Sequence, residues 1–112
     1  MDSNYNILIT ELAENDIDEI LEYISINLSN PEAAKKLWNN IKEGIKRISM
    51  FPYAMPTYKG KYINDEKEYR RLDIHNFAII YKIIEDIKEI RIMTAFYTPS
   101  LLSQMFRENW FY

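Results

Sequence analysis

EYRRLDIHNFAIIYKI, residues 68–83, carries the reading of the fold. Its first half alternates charged and apolar side chains, it pauses at His75-Asn76, and its second half is apolar apart from Lys82. Period-two alternation marks a strand, and a continuous apolar run marks a strand buried on both faces. A two-residue turn at His75-Asn76 lets the runs pair as a hairpin, because Asn accepts the left-handed backbone such turns require. The register then follows. Ile74 faces Phe77, Leu72 faces Ile79 and Arg70 faces Tyr81 on the core side of the sheet. Asp73 with Ala78, Arg71 with Ile80, and Tyr69 with Lys82 lie on the other.

A third run, EIRIMTAFY (89–97), follows a short turn at 85–88 and alternates likewise. Strict alternation points Ile90, Ile92, Thr94 and Phe96 one way and Arg91, Met93, Ala95 and Tyr97 the other. With Ile90, Ile92 and Phe96 in the core, Arg91 and Tyr97 join Arg71, Lys82 and Tyr69 on an open face. Guanidinium groups grip phosphate oxygens in pairs and tyrosines stack on bases, so such a face suits a phosphate backbone. Cross-strand pairing of the same cations with Asp73, Glu68 or Glu89 is an equally available use, and spacing does not choose between them.

Upstream, Tyr5 to Thr10 reads as a strand feeding a helix, with Thr10 as its N-cap. Ala13, Ile17, Ile20, Leu21, Ile24 and Leu28 make one apolar stripe, and the acidic residues opposite read as a solvated face. Asn30-Pro31 ends this helix and caps the next, which runs to about Met50 with Ala34, Leu37, Trp38, Ile41, Ile45 and Ile48 inward. The short connection predicts an antiparallel helical hairpin. Residues 52–67 lack any period and read as a loop, where Lys59 and Lys61 lie beside Tyr58 and Tyr62. Cations interleaved with rings can grip single-stranded nucleic acid, and a solvated loop whose tyrosines cover the core edge is an equally available reading. After Thr98-Pro99, Leu101, Leu102, Met105 and Phe106 recur at helical spacing, and Trp110, Phe111 and Tyr112 close an aromatic end. The whole is α+β: a small antiparallel sheet with an N-terminal helical hairpin on one face, in the order β-α-α-β-β-β, and a C-terminal helix.

At 112 residues, 47% hydrophobic, the chain has material for one core and is expected to form a single domain over 1–112. It has no cysteine and one histidine, so neither a disulfide framework nor a His or Cys metal site is expected, and no cofactor is implied. No apolar run approaches the ~20 residues of a membrane span, and no leader pattern opens the chain, so a cytoplasmic protein without a membrane partner is expected. A net charge of -3 argues against non-specific nucleic-acid binding by the whole surface and leaves room for a local basic patch.

Taken in order, LSNPEAA at the helical turn, FPYAMP, EYRRLDIHNFAIIYKI and EIRIMTAFY resemble the RelE/ParE toxin superfamily of bacterial type II toxin-antitoxin modules, over about residues 5–102. The resemblance implies a cognate antitoxin as partner. It also implies one of two actions: cutting messenger RNA on the ribosome, as RelE-like members do, or poisoning DNA gyrase, as ParE-like members do. A relative that binds its antitoxin without being toxic is the third possibility. Metal-free cleavage by RNA's own 2'-hydroxyl is done in several RelE-like enzymes with lysine, arginine and tyrosine. Carried over, Arg70 and Arg71 match the basic position of the YR(R/K)L phrase, and Tyr97 the aromatic position ending the last strand. Many relatives follow that tyrosine with a basic dipeptide, where this chain has Thr98-Pro99. Candidate catalytic residues are therefore Arg70, Arg71, Arg91 and Tyr97; candidate RNA contacts are Lys59, Lys61 and Lys82. For the antitoxin, Met105, Phe106 and Trp110 are the candidate contacts. His75 reads as a plain turn residue, and Arg70 is divided between packing and function.

Overall fold

The computed structural model of the chain describes residues 4–58 and 68–97. Lys59, Lys61, the expected C-terminal helix and its Met105, Phe106 and Trp110 lie outside those residues. The elements are β1 (Asn6–Ile9), α1 (Glu11–Glu22), a π-helical turn (Tyr23–Asn27), α2 (Pro31–Met50), β2 (Thr57–Tyr58), β3 (Tyr69–Ile74), β4 (Phe77–Ile84), a 3-10 turn (Glu85–Ile87) and β5 (Glu89–Tyr97). The α+β class and the order of elements are as the sequence predicts. One five-stranded sheet is formed, in the order β1-β5-β4-β3-β2. β1 joins β5 in parallel, so the sheet is mixed; its other pairings are antiparallel. The two-residue β2, which the sequence reads as loop, adds an edge to β3.

Both helices lie against one face. Ala13 and Ile17 of α1 and Ile41 and Ile48 of α2 meet Leu72, Ile74, Phe77, Ile79, Tyr81, Ile90, Ile92 and Ala95 in one buried cluster. Gly44 lets α2 come close to β3, for a Cβ there would stand 3.0 Å from Leu72 Cδ2 and 3.1 Å from Ile74 Cδ1. The caps form as their residue types require. Thr10 Oγ1 accepts from Ala13 N at 3.1 Å, Asn30 Oδ1 accepts from Ala33 N at 3.1 Å, and Pro31 opens α2. The π-helical turn adds a residue to one coil and rotates the stripe away from the sheet, so Leu28, expected inside, is half exposed. Trp38, also expected in the core, stands 38% exposed with Lys42 Nζ 5.5 Å from its ring centre.

The β3-β4 register matches the sequence reading at every pair from Tyr69↔Lys82 to Ile74↔Phe77. The positive φ of the turn falls on His75 (55°) rather than on Asn76. Histidine shares some of asparagine's tolerance of that region, which a tight hairpin needs at its first central position.

A polar knot closes the far end of the sheet. The Glu85 carboxylate accepts from Tyr53 Oη at 2.7 Å, Tyr5 Oη at 3.0 Å and Lys88 Nζ, and so joins the residue before β1, the segment after α2 and the β4-β5 turn. The Lys88 bond first, then those of Tyr53 and Tyr5, hold its pKa down at about 2. A depressed carboxylate pKa stabilises the fold fully above its ordinary value near 4.5, and that contribution is lost as pH falls toward 2. Urea unfolding of Glu85→Gln is expected to show a lower midpoint than the parent at pH 7, with the gap closing between pH 4.5 and 2. A gap constant across that window would remove the knot from the account.

Candidate functional site

The sheet face turned away from the helices is built by strand parity. By register a row of side chains crosses all five strands: Tyr58 on β2, Tyr69 on β3, Lys82 on β4, Arg91 on β5 and Leu8 on β1. Beside it run Arg71 and Ile80, then Asp73, Ala78 and Phe96, while Thr94, opposite Ile80, turns its hydroxyl to Asp16 of α1. Ile80 and Ala78 are fully buried, so the face has an apolar floor with cations and rings around it.

The aromatic groups support the cations. The Arg71 guanidinium carbon lies 5.9 Å from the centres of both the Tyr58 and Phe96 rings, and Lys82 Nζ lies 5.8 Å from that of Tyr69. Each arginine also holds a carboxylate two residues away. Arg71 Nε donates to Asp73 Oδ1 at 2.7 Å, and Arg91 Nε donates to Glu89 Oε2 at 2.8 Å. The cations share one face, and the two arginines are paired within their own strands rather than across strands. The Asp73, Glu89 and Arg71 side chains are 57%, 15% and 31% exposed, so water screens the Arg71 pair more than that of Arg91.

One candidate, Tyr97, stands elsewhere than strict alternation places it. Ile80 pairs with Thr94 and Tyr81 with Ile92, which leaves Met93 as an extra, bulged residue. Parity reverses beyond it. Ala95 faces Ile79 in the core, Phe96 faces Ala78 on the open side, and Tyr97 faces Phe77 on the helix side. Tyr97 is thus separated by the sheet from Arg71 and Arg91, and Phe96 takes the place beside Arg71. The bulge is held from α1. Asp16 Oδ2 accepts from Thr94 Oγ1 at 2.7 Å and from Ala95 N at 3.2 Å, and Thr10 N donates to Ile92 O at 3.1 Å.

Arg70 also departs from the group. Its side chain, 14% exposed, lies on the helix side, with its guanidinium 5.2 Å from the Tyr53 ring centre. It donates to Met55 O, Tyr53 O and Glu68 Oε2, fastening the segment after α2 to the start of β3. Nearby, Tyr81 Oη donates to Pro52 O at 2.7 Å, and burial pushes its pKa up to about 12, so it remains a donor. His75 lies in the turn at the opposite end of β4 from Lys82.

Two recesses adjoin these surfaces. One of about 400 Å³ lies where β3 begins, lined by Tyr53, Glu68, Arg70, Lys82, Ile83, Ile84 and Arg91. Another of about 450 Å³ lies along the helical hairpin, with Leu21, Ile26, Ala34 and Trp38 inside and Asp18, Glu22 and Lys35 on its walls. Among the described residues no helix is long and apolar enough to cross a membrane.

Residues 7–95 match the family model described as the ParE toxin of the type II toxin-antitoxin system parDE. No curated protein matches the chain in a sequence comparison. Among the solved structures that share its fold are the following three. A chain of the chromosomal ParDE toxin-antitoxin system from P. aeruginosa is 21% identical, with a TM-score of 0.64 over 87% of this chain and 99% of that one. A chain of the RelBE2 toxin-antitoxin complex from Mycobacterium tuberculosis is 10% identical, with a TM-score of 0.58 over 84% and 98%. A chain of the archaeal RelE-RelB complex from Pyrococcus horikoshii OT3 is 14% identical, with a TM-score of 0.58 over 84% and 94%. At these identities the likeness is one of fold.

Proposed function

The chain belongs to the ParE toxin family of type II toxin-antitoxin systems, and from that premise we propose that it arrests growth by gripping and cutting messenger RNA on the ribosome with its open sheet face. The observation that carries this reading is the row Tyr69-Lys82-Arg91 beside Arg71, with the Tyr58 and Phe96 rings against that arginine. Cations at strand spacing follow a phosphate backbone, and exposed ring faces accept bases without regard to sequence.

The chemistry asked of such a face is limited. The 2'-oxygen of one nucleotide attacks the adjacent phosphorus and loses its proton, while the bond to the 5'-oxygen breaks and that oxygen gains one. Negative charge builds on the phosphorane between. Arg71 and Arg91 neutralise it, and Lys82 and Tyr69 are the proton-bearing groups placed with them. Lys59 and Lys61 extend the RNA contact in this proposal.

A second reading uses the same face differently. The two arginines already hold carboxylates and Tyr97 lies across the sheet, an arrangement that suits a binding surface without proton transfer, as a gyrase inhibitor would use. Induced expression separates the two. Transcript 5' ends appearing in phase with codons support cleavage. Intact transcripts with an SOS response and gyrase-linked DNA breaks overturn it in favour of the second reading.

The partner in this proposal is a cognate antitoxin, as in the complexes of the structural neighbours. Its acidic segment covers Arg71, Lys82 and Arg91, while its apolar residues meet the hairpin groove together with Met105, Phe106 and Trp110. Segments that order on binding wrap such surfaces readily.

A further inference from the structure

The groove along the helical hairpin leaves apolar side chains uncovered among the described residues. Ile26 is 65% exposed and Trp38 38%, and Leu21 and Ala34 line the groove with them. A single surface hydrophobe needs no explanation, whereas a contiguous apolar lining marks an interaction surface. The walls carry Asp18 and Glu22 on α1 and Lys35 on α2.

The chain itself passes close by. α1 runs beside β5 in the same sense, since Thr10 N donates to Ile92 O at its start and Asp16 Oδ2 accepts from Ala95 N further on. β5 ends soon after, at Tyr97, whose side chain is on the helix side of the sheet. Leu21 stands ~8 Å beyond Asp16 along the axis of α1. From Tyr97 to Leu101 the chain reaches up to ~13 Å when extended, enough to cross the ~10–12 Å width of a helix. The sequence from Leu101 to Tyr112 then spans ~18 Å as a helix, against ~12 Å for the groove from Asp18 to Ile26. Its first two turns carry the apolar stripe of Leu101, Leu102, Met105 and Phe106.

We propose that residues 98–112 of this chain occupy the groove, as a C-terminal helix lying along α1 and α2 with its apolar stripe against Leu21, Ile26 and Trp38. At ~100° per residue, Arg107 falls opposite the stripe and Glu108 at its border, so the contact face is uncharged. An uncharged face suits a groove walled by two carboxylates. Other occupants fit less well. An acidic partner segment sets its charges against Asp18 and Glu22, and a second copy seated groove to groove brings the same two carboxylates of each copy together. A segment on a short tether also acts at about millimolar effective concentration, far above that of a second copy in dilute solution. The surface that a partner meets at the hairpin is then the groove with this segment seated in it, whichever action the toxin performs.

The chain has no cysteine, so Ser103→Cys, on the side of such a helix away from the stripe, gives the full chain a single attachment point for a nitroxide. In the 15N-labelled, spin-labelled protein the amides of Leu21, Ile26 and Trp38 are expected to lose most of their intensity relative to the same sample with the nitroxide reduced. Those of Leu8, Lys82 and Arg91, on the far face of the sheet, are expected to keep theirs. Adding Ile26→Asp, at an exposed position, is expected to restore the groove signals with the circular dichroism of the parent. Phe106→Asp, which alters only the segment, is expected to do the same. Loss spread evenly over the chain, or centred on the far face of the sheet, overturns the proposal. Loss that survives both substitutions in a folded protein places the segment outside the groove and overturns it as well. So does loss that appears on 15N-labelled parent chain mixed with spin-labelled 14N chain, because the occupant is then a second copy.

Discussion

Replacing Arg71 and Arg91 together by alanine is expected to abolish growth arrest while leaving the fold in place. Both side chains are about one-third exposed and lie on the face opposite the helices, and among the described residues each forms its ion pair with a carboxylate two residues away in its own strand. Part-exposed pairs of this kind contribute ~0–1 kcal/mol each, which a small domain tolerates. Their loss from a phosphate-gripping face is much larger in effect. If both arginines neutralise a developing phosphorane, removing either costs ~10²–10³ in rate, and losses from groups that act as a unit are not additive. Growth after induction and circular dichroism of the purified variant are the two readouts. Arrest that persists in a folded variant would remove the open face from toxin action. An unfolded variant would show that these residues carry structure the geometry does not assign them.

The second large effect tests the bulge at Met93. Ala95 is 5% exposed and belongs to the core cluster, whereas Phe96 lies on the open side against Tyr58 and Arg71. Ala95→Glu forces added volume and an unpaired carboxylate into the packed interior, and is expected to cost at least ~3 kcal/mol, enough to unfold a marginal domain. Phe96→Ser is expected to cost ~1–2 kcal/mol, because only a half-buried ring is lost. Strict alternation of β5 demands the reverse order. Urea unfolding of both variants decides it: a stable Ala95→Glu beside an unfolded Phe96→Ser would place the parity change elsewhere.

The contrast between the hairpin and β5 shows what kind of structure the sequence makes legible. Register between β3 and β4 is a local matter, set by a two-residue turn and a period-two pattern, and every pair could be read from residues 69–82. The bulge in β5 is held by Asp16, which is 78 and 79 positions away from its partners Thr94 and Ala95. No local pattern carries that information, so strict alternation puts Phe96 in the core and Tyr97 on the open face, and the bulge reverses both. The parallel pairing of β1 with β5 is similarly remote, because YNILIT reads as a strand without stating its neighbour. Trp38 illustrates a third cause. Its spacing fits the α2 stripe, but the π-helical turn facing it rotates the neighbouring helix and leaves the indole at a groove edge.

The candidate site divides in the same way. Arg71, Lys82 and Arg91 come together as parity predicts, since all three lie on the regular side of the bulge. Arg70 matches the same family phrase as Arg71, but neighbours in a strand face opposite ways, and only one of the two reaches the open face. Its guanidinium lies against the Tyr53 ring and anchors backbone carbonyls, a use of arginine that neither charge nor spacing announces.

The central claim is that the β3-β4-β5 face is the surface through which this toxin meets nucleic acid. Its most direct measurement is amide chemical-shift mapping of the 15N-labelled chain with a short single-stranded RNA at low and moderate salt. The account predicts shifts concentrated at Tyr69, Arg71, Lys82, Arg91 and Phe96, weakening as salt rises because exposed charges are screened over ~10 Å at 0.1 M. Shifts confined to α1 and α2, or binding indifferent to salt, would contradict it.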